Sequence, residues 1–217
     1  MDIYPSIASS DPLKYGDTLE NLGSWPFLHI DVEDGNFTPN ITFGIKTVKA
    51  VASRTKAKSI QVHLMTTNPM DYLEDLAAAG ITEVFSHIEA LPDASCYLET
   101  CRVFGMKAGL ALKAGTGLES VKEYLDKTDG LLFLTSAPRP IREEFSKEAF
   151  DKALAARRLL PKRIRTVADG GIDEDCMKEL GAGNFDSVVL GRLVFSFPNP
   201  RARVEVLNNT YCLRRKQ

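Results

Sequence analysis

The sequence predicts an α/β fold, a single (β/α)8 TIM barrel that fills residues 1–217 as one domain. Short apolar runs alternate with longer helical patterns along the whole chain. Several of these runs, such as residues 131–134, are apolar at successive positions, which is typical of parallel strands covered on both faces. The length of 217 residues suits a compact barrel, since the smallest barrels of this class have about 200 residues.

Eight short runs rich in apolar and β-branched side chains are the predicted strands. They cover residues 3–9, 27–32, 59–65, 83–88, 108–113, 130–135, 164–168 and 187–190. Eight strand-then-helix units are what a closed barrel requires. An open doubly wound sheet usually has fewer units and a GxGxxG turn after its first strand, and this sequence has no such turn. The closed barrel is therefore the favoured architecture.

Helix boundaries are marked by capping residues. Asp11 and Asn68 each precede a proline, which predicts an N-cap followed by proline at the first helical position. Gly80 and Gly181 predict left-handed caps at two helix ends. We expect the last helix to follow Pro198.

Composition narrows the function classes. The 27 basic and 29 acidic side chains give a net charge of -2, so no basic excess is present to bind nucleic acid or an anionic membrane. The N-terminal residues do not resemble a signal peptide, and no apolar run approaches the roughly 18 residues of a membrane span. The four cysteines form no CxxC pair and are expected to be reduced thiols: Cys96, Cys101, Cys176 and Cys212. We therefore expect a cytoplasmic protein with neither a nucleic-acid nor a membrane partner.

Polar side chains in otherwise apolar strands form a candidate metal site. His29 and Asp31 are two residues apart on one strand, so their side chains point to the same face. The next strand contributes His63, and Asp169 follows the seventh strand. Two imidazoles and two carboxylates are suitable ligands for one divalent ion, either zinc, manganese or ferrous iron.

A histidine and an aspartate two residues apart on a strand are more often a hydrogen-bonded pair than a metal site. The combination of four such groups favours the metal, because burying each without a partner costs about 2–7 kcal/mol and a bound cation removes that cost.

Glycines after the last two predicted strands form a candidate phosphate site. Gly170 and Gly171 follow strand seven, and Gly191 and Arg192 follow strand eight. Loops at these two positions commonly bind phosphate in barrels through backbone N–H groups and a short helix. Ordinary glycine turns are the alternative, and the position of the loops favours phosphate.

Several ordered blocks resemble the ribulose-phosphate 3-epimerase family, from Pro5 to about Phe195. They are residues 5–11 (PSIASSD), 29–40 (HIDVEDGNFTPN), 62–65 (VHLM), 86–90 (SHIEA), 168–172 (ADGGI) and Gly191. The resemblance implies a barrel of the ribulose-phosphate-binding type and an isomerase that inverts C3 of a ketose phosphate. The default reaction would convert D-ribulose 5-phosphate to D-xylulose 5-phosphate, in the pentose phosphate pathway.

The resemblance also assigns roles to individual residues. It implies that His29, Asp31, His63 and Asp169 hold the metal, and that the two aspartates exchange the proton through an enediolate. A small phosphorylated sugar would be the partner molecule, and a homo-oligomer is expected because family members associate. The residues expected to contact the substrate are Ser6, His63, Met65, Gly170, Gly171, Gly191 and Arg192.

Two departures from the family pattern affect the sugar end of the site. Glu33 stands where the family typically has methionine, and Leu134 replaces another methionine. A carboxylate beside a developing enediolate would repel it unless Glu33 turns away or binds a substrate hydroxyl.

The phosphate end departs further. Residues 137–143 replace a glycine-rich loop at matching length, and Arg192 replaces a small serine. Arg139, Arg142 and Arg192 are candidates for bidentate binding of a phosphate or carboxylate, although solvated loop charges explain Arg139 and Arg142 equally well.

Three alternatives stay open from the sequence. The substrate is either ribulose 5-phosphate or a related ketose phosphate such as allulose 6-phosphate. A lyase on the same barrel is disfavoured, because residues 31–35 lack the lysine of the DxKxxD arrangement that such enzymes carry. A non-catalytic descendant that binds a metabolite or a protein would lack proton exchange.

Overall fold

The computed structural model describes residues 1–137 and 144–212, and within them eight parallel strands form one sheet. The predicted alternation of strands and helices is thereby confirmed. The strands are β1 Asp2–Pro5, β2 Phe27–Glu33, β3 Ser59–Met65, β4 Glu83–His87, β5 Lys107–Leu112, β6 Gly130–Leu134, β7 Arg165–Asp169 and β8 Ser187–Leu190.

The sheet curls into a nearly closed barrel. Its strand order is β1-β8-β7-β6-β5-β4-β3-β2, and a parallel bridge between Ser6 and His29 joins the two outer strands. Because all the strands run in the same direction, their carboxyl ends meet at one mouth of the barrel.

Helices surround the sheet. They are α1 Tyr15–Leu22, α2 Ile45–Arg54, α3 Leu73–Ala78, α4 Ala94–Val103, α5 Lys147–Leu159, α6 Glu174–Ala182, α7 Arg192–Phe195 and α8 Pro200–Tyr211. A 3-10 helix, Leu118–Tyr124, connects β5 to β6. After β6, Ser136–Ala137 pairs with Glu144–Phe145 in a short antiparallel ribbon.

An apolar layer fills the barrel beneath its mouth. Its buried side chains come from six different strands, which can meet only in the interior: Tyr4, Phe85, Ala111, Leu132, Val167 and Val189. His87 and Asp169 stand two residues after Phe85 and Val167, on the same faces of β4 and β7. The polar residues of the site therefore lie one layer nearer the mouth and rest on this apolar layer.

The predicted end of the first strand is wrong. The strand ends at Pro5, and residues Ile7–Ser9 form a 3-10 turn in which Ile7 is fully buried. A short apolar run satisfies both a strand and a buried turn, so its periodicity cannot separate them.

One of the predicted helix caps also needs correction. Helix α6 continues through Gly181 to Ala182, and the left-handed residue is Asn184 with φ 59°. Asn68 stands at the predicted N-cap position before Pro69, although its side chain forms no hydrogen bond to the turn that follows. Gly80 has the expected positive φ of 78°, and the last helix begins two residues after Pro198.

Some expectations lie beyond what the structure describes or tests. Arg139 and Arg142 lie outside the described residues. In the described ranges, no helix has both the length and the apolar character of a membrane span. The assignment of residues 1–217 to one domain stays a prediction.

Candidate active site

Strand register brings the first three polar residues together. His29 and Asp31 point into the barrel from β2, because alternate residues of a strand share a face. Across the β2–β3 pair, His29 is in register with Gln61 and Asp31 with His63. Asp169 arrives from the end of β7, across the barrel mouth.

The structure places four possible ligand atoms close together. His29 Nε2 lies 3.2 Å from Asp31 Oδ1 and 3.5 Å from Asp169 Oδ2. His63 Nδ1 lies 3.0 Å from Asp169 Oδ2 and 3.5 Å from Asp31 Oδ1. The four ligand atoms all lie within 4.8 Å of one another.

This spacing fits a divalent cation. Ligand bonds of about 2.0–2.2 Å in a tetrahedral arrangement place neighbouring ligand atoms roughly 3.3 Å apart. The four histidine–carboxylate separations of 3.0–3.5 Å fall on either side of that value. Two imidazoles and two carboxylates are also a ligand set that zinc, manganese and ferrous iron accept.

The four groups strongly perturb one another's protonation. Burial lowers the pKa of His29, but the charges of Asp31 and Asp169 outweigh it and raise that pKa to about 10. Burial raises the pKa of Asp31, and the nearby His29 and His63 outweigh it, so this pKa falls well below its usual range. The pKa of Asp169 is lowered as well, because hydrogen bonds from the two histidines outweigh burial and the charge of Asp31. The cluster therefore keeps both carboxylates ionised.

A chain of hydrogen-bonded side chains leads away from His29 on the side opposite the cluster. Its Nδ1 lies 3.2 Å from Gln61 Oε1, and Gln61 Nε2 donates a hydrogen bond of 2.6 Å to Glu83 Oε2. Arg165 in turn donates to both carboxylate oxygens of Glu83, at 3.0 and 3.1 Å. This chain of contacts fixes which way the Gln61 amide points.

His63 has a different neighbour. Its Nε2 lies 2.9 Å from Nε2 of His87, whose Nδ1 lies 3.2 Å from Glu89 Oε2. Burial, reinforced by the charge of His63, lowers the pKa of His87 to about 4 despite the hydrogen bond with Glu89. Sequence reasoning gave neither His87 nor Glu89 a role, although both belong to the SHIEA block.

A cavity of about 1200 Å³ opens above the cluster. Both Asp31 and Asp169 line it. So do all the predicted substrate contacts except His63: Ser6, Met65, Gly170, Gly171, Gly191 and Arg192. His63 has no exposed surface and is not among the described residues that line the cavity.

Glu33 does not turn away from the site. It lines the cavity with only 7% of its surface exposed, beside its register partner Met65. Thr38 donates a hydrogen bond of 2.7 Å to Glu33 Oε2. Burial raises the pKa of the Glu33 carboxyl, which this hydrogen bond only partly offsets.

The turns after β7 and β8, where the sequence predicts a phosphate site, are closely packed backbone. Gly170 and Gly171 have φ values of 110° and 69°, which L side chains rarely adopt. A Cβ at Gly171 would also lie 2.9 Å from the Phe145 side chain. Arg192, the first residue of α7, is exposed at the rim of the cavity.

Residues 2–195 match the model of the ribulose-phosphate 3 epimerase family. The chain belongs to this family. It is 31% identical over 208 residues to ribulose-phosphate 3-epimerase of Mycobacterium bovis, covering 94% of this chain and 90% of that protein. It is 30% identical over 215 residues to the cytoplasmic isoform of rice, Oryza sativa subsp. japonica, covering 96% and 93%. The chain is thus a carbohydrate epimerase, in the isomerase class.

Solved structures share the fold at much lower identity. KGPDC from Streptococcus mutans in complex with D-R5P superposes with a TM-score of 0.73 at 14% identity, covering 96% of this chain and 95% of that one. The 3-hexulose-6-phosphate synthase from Salmonella typhimurium gives 0.70 at 16% identity, covering 97% and 98%. These similarities confirm the TIM-barrel fold that the sequence predicts.

Proposed function

We propose that this family member inverts C3 of a ketose phosphate by proton transfer between Asp31 and Asp169, with D-ribulose 5-phosphate and D-xylulose 5-phosphate as the exchanging pair. The observation that carries the proposal is that the two carboxylates share one cluster and line one cavity. Two further strands, β1 and β8, separate β2 from β7 around the barrel. The two carboxylates therefore reach the cavity from different directions, as an inversion requires.

The chemistry needs two carboxylates because the carbon changes hand. The hydrogen on C3 is alpha to the ketone, and one aspartate removes it to give a planar enediolate. The other aspartate returns a proton to the opposite face. Ser6 supports this arrangement, since its hydroxyl donates a hydrogen bond of 2.5 Å to Asp31 Oδ2 and leaves Oδ1 to the cluster.

We further propose that His29, Asp31, His63 and Asp169 hold one divalent ion, either zinc, manganese or ferrous iron. Their spacing and chemistry support this assignment, as described above. When bound, such an ion would offset the negative charge that develops on the enediolate, a contribution of several kcal/mol.

The opposite end of the cavity is proposed to bind the phosphate. Gly170, Gly171 and Gly191 line the cavity with backbone, and Arg192 adds a positive charge at the rim. Ser6 and Met65 line the cavity toward the sugar. Contact between His63 and the sugar, the homo-oligomer and the cytoplasmic location stay predictions.

Proton exchange is the direct test. The metal-loaded protein is incubated with D-ribulose 5-phosphate in deuterated water, and deuterium at C3 is measured by NMR. We expect incorporation, and Asp169→Asn should slow it by about 10²–10⁴-fold because a proton-transfer group is lost.

Asp175→Asn is the matched control, since Asp175 is exposed and pairs only with Lys178 among the described residues, at 2.7 Å. It should leave the exchange unchanged. Absence of exchange in the wild-type protein across ketose phosphates and divalent metals would favour the non-catalytic alternative.

One observation favours a second substrate, allulose 6-phosphate. Glu33 places a buried carboxylate in the cavity, where the additional hydroxyl of a hexulose phosphate offers it a donor. The same deuterium experiment with both sugars decides between them by their relative kcat/KM.

A further inference from the structure

In the cluster of His29, Asp31, His63 and Asp169, hereafter the cation cluster, His63 contributes Nδ1, while its other ring nitrogen faces a second imidazole. His63 Nε2 lies 2.9 Å from His87 Nε2, and the two rings stack with centroids 4.9 Å apart. A neutral imidazole has one N–H and one bare nitrogen, so the position of one proton decides which nitrogen can bind a cation. The contact between His63 Nε2 and His87 therefore decides whether Nδ1, the nitrogen that faces the cluster, is bare or carries a proton.

Glu89 determines the direction of this hydrogen bond. Its Oε2 lies 3.2 Å from His87 Nδ1, and a carboxylate can only accept, so the proton of His87 sits on Nδ1. Nε2 of His87 is then bare and accepts from His63 Nε2–H. With its proton on Nε2, His63 has a bare Nδ1, and that atom faces Asp31 and Asp169.

The Glu89 carboxylate is itself held in place by the loop after β5. Its Oε1 accepts a hydrogen bond of 2.9 Å from the backbone N–H of Lys113 and another from the hydroxyl of Thr116. The ring of Phe37 packs on His87 with centroids 4.9 Å apart, and the ammonium of Lys113 lies 3.6 Å from the centre of the Phe37 ring. These contacts hold Glu89 Oε2 beside His87 Nδ1.

We propose that Glu89 and His87 are positioning residues that fix the tautomer of His63, so that its Nδ1 is the nitrogen available to a divalent cation. The inference rests on the proposed cation site and assigns to it two residues that touch neither the cation nor the substrate. Such outer partners of metal-binding histidines typically contribute about 10–100-fold to metal affinity.

Glu89→Gln is a nearly isosteric test that reverses the chain. The backbone N–H of Lys113 is an obligate donor, so the amide oxygen of the variant stays with it and the amide NH₂ faces His87 Nδ1. The proton of His87 then moves to Nε2, which drives the proton of His63 to Nδ1 and into competition with the cation. We expect zinc affinity, measured by chelator competition, to fall about 10–100-fold.

His87→Phe and His87→Gln form the second test. Phenylalanine removes the acceptor, and zinc affinity should fall by a similar factor. A glutamine oxygen can accept from His63 Nε2, as Gln61 does beside His29, so His87→Gln should retain affinity within about threefold. Circular dichroism melting checks that each variant folds, and Glu99→Gln, an exposed glutamate on α4, is the matched control.

Nitrogen-15 NMR of the imidazole rings provides a readout that packing alone would not change. In the zinc-loaded protein we expect His63 to show a metal-bound Nδ1 and a protonated Nε2, and His87 a protonated Nδ1. Wild-type affinity and unchanged His63 signals in folded Glu89→Gln and His87→Phe would overturn the inference. A wild-type protein that shows these signals without C3 exchange would contradict the proposed function and leave the inference standing.

Discussion

The two ends of the cavity are built in different ways. At the cation end, four side chains project from strands and are braced by further buried residues such as Gln61 and His87, both with no exposed surface. At the phosphate end, the chain contributes turns after β7 and β8 and an exposed Arg192. Strand register thus fixes the arrangement of the four side chains, whereas loops supply the surface proposed to bind the phosphate. Changes at the first end should disturb metal binding and folding, and changes at the second should alter substrate affinity alone.

The largest effect is expected from breaking the buried support of His29. The Glu83 side chain is only 2% exposed and pairs with Arg165. Glu83→Gln removes its charge and leaves the Gln61 amide free to turn. We expect the free energy of unfolding to fall by about 3 kcal/mol, measured in urea, because one partner of a buried pair loses its charge.

A matched change at the surface shows whether the loss of stability comes from burial of the Glu83 pair or from removing any carboxylate. Asp75→Asn removes an ion pair with Lys49 in which both side chains are about half exposed, and should cost less than about 1 kcal/mol. Equal losses in the two variants would contradict the distinction between a braced interior and a solvated exterior.

Metal affinity should depend strongly on pH, because the cation end of the cavity contains a titrating histidine. The pKa of His29 is raised to about 10, so the metal-free cluster holds a proton there at neutral pH and a cation must displace it. For one displaced proton, zinc affinity should rise roughly tenfold per pH unit as pH increases toward that pKa. Calorimetry in two buffers of different ionisation enthalpy measures the protons released, and release of none would contradict the expected charge state.

Arg192→Ser tests the phosphate end. Losing a guanidinium at the cavity rim should raise KM for the sugar phosphate about tenfold and leave kcat and zinc affinity unchanged, because the cation cluster is not touched. The effect should shrink at high ionic strength, since Arg192 is exposed. A fall in kcat with constant KM would assign Arg192 a different role.

The smallest effect is expected from Glu33→Met. It removes a buried carboxylate that lines the cavity, together with its hydrogen bond from Thr38. We expect kcat/KM for ribulose 5-phosphate to rise about threefold, equivalent to roughly 0.7 kcal/mol, and that for allulose 6-phosphate to fall. A parallel change for both sugars would show that Glu33 does not discriminate between them.

Much of the cation end was predictable from sequence because it follows from two regular features of strands. Residues two apart, such as His29 and Asp31, share a face, and the carboxyl ends of parallel strands meet. These features placed His63 and Asp169 beside them without knowledge of any loop. The direction of the hydrogen bond between His63 and His87 was not predictable, because it depends on ring orientation and on Glu89.

The sequence-based predictions that were wrong or incomplete concern places where tertiary packing overrides the local sequence pattern. The apolar residues after Pro5 fill a buried turn, which looks like strand in sequence. Gly181 lies within α6 because the helix continues to Ala182, and Asn184 takes the left-handed conformation in its place. Glu33 was identified as a departure, but only the structure shows that its carboxylate faces the cavity and accepts from Thr38.

Anomalous scattering from crystals grown with zinc or manganese can locate the cation itself. We expect a single strong peak about 2.0–2.2 Å from His29 Nε2, Asp31 Oδ1, His63 Nδ1 and Asp169 Oδ2. A strong peak elsewhere, or none at this cluster in metal-saturated crystals, would contradict the assignment of these four side chains as one metal centre.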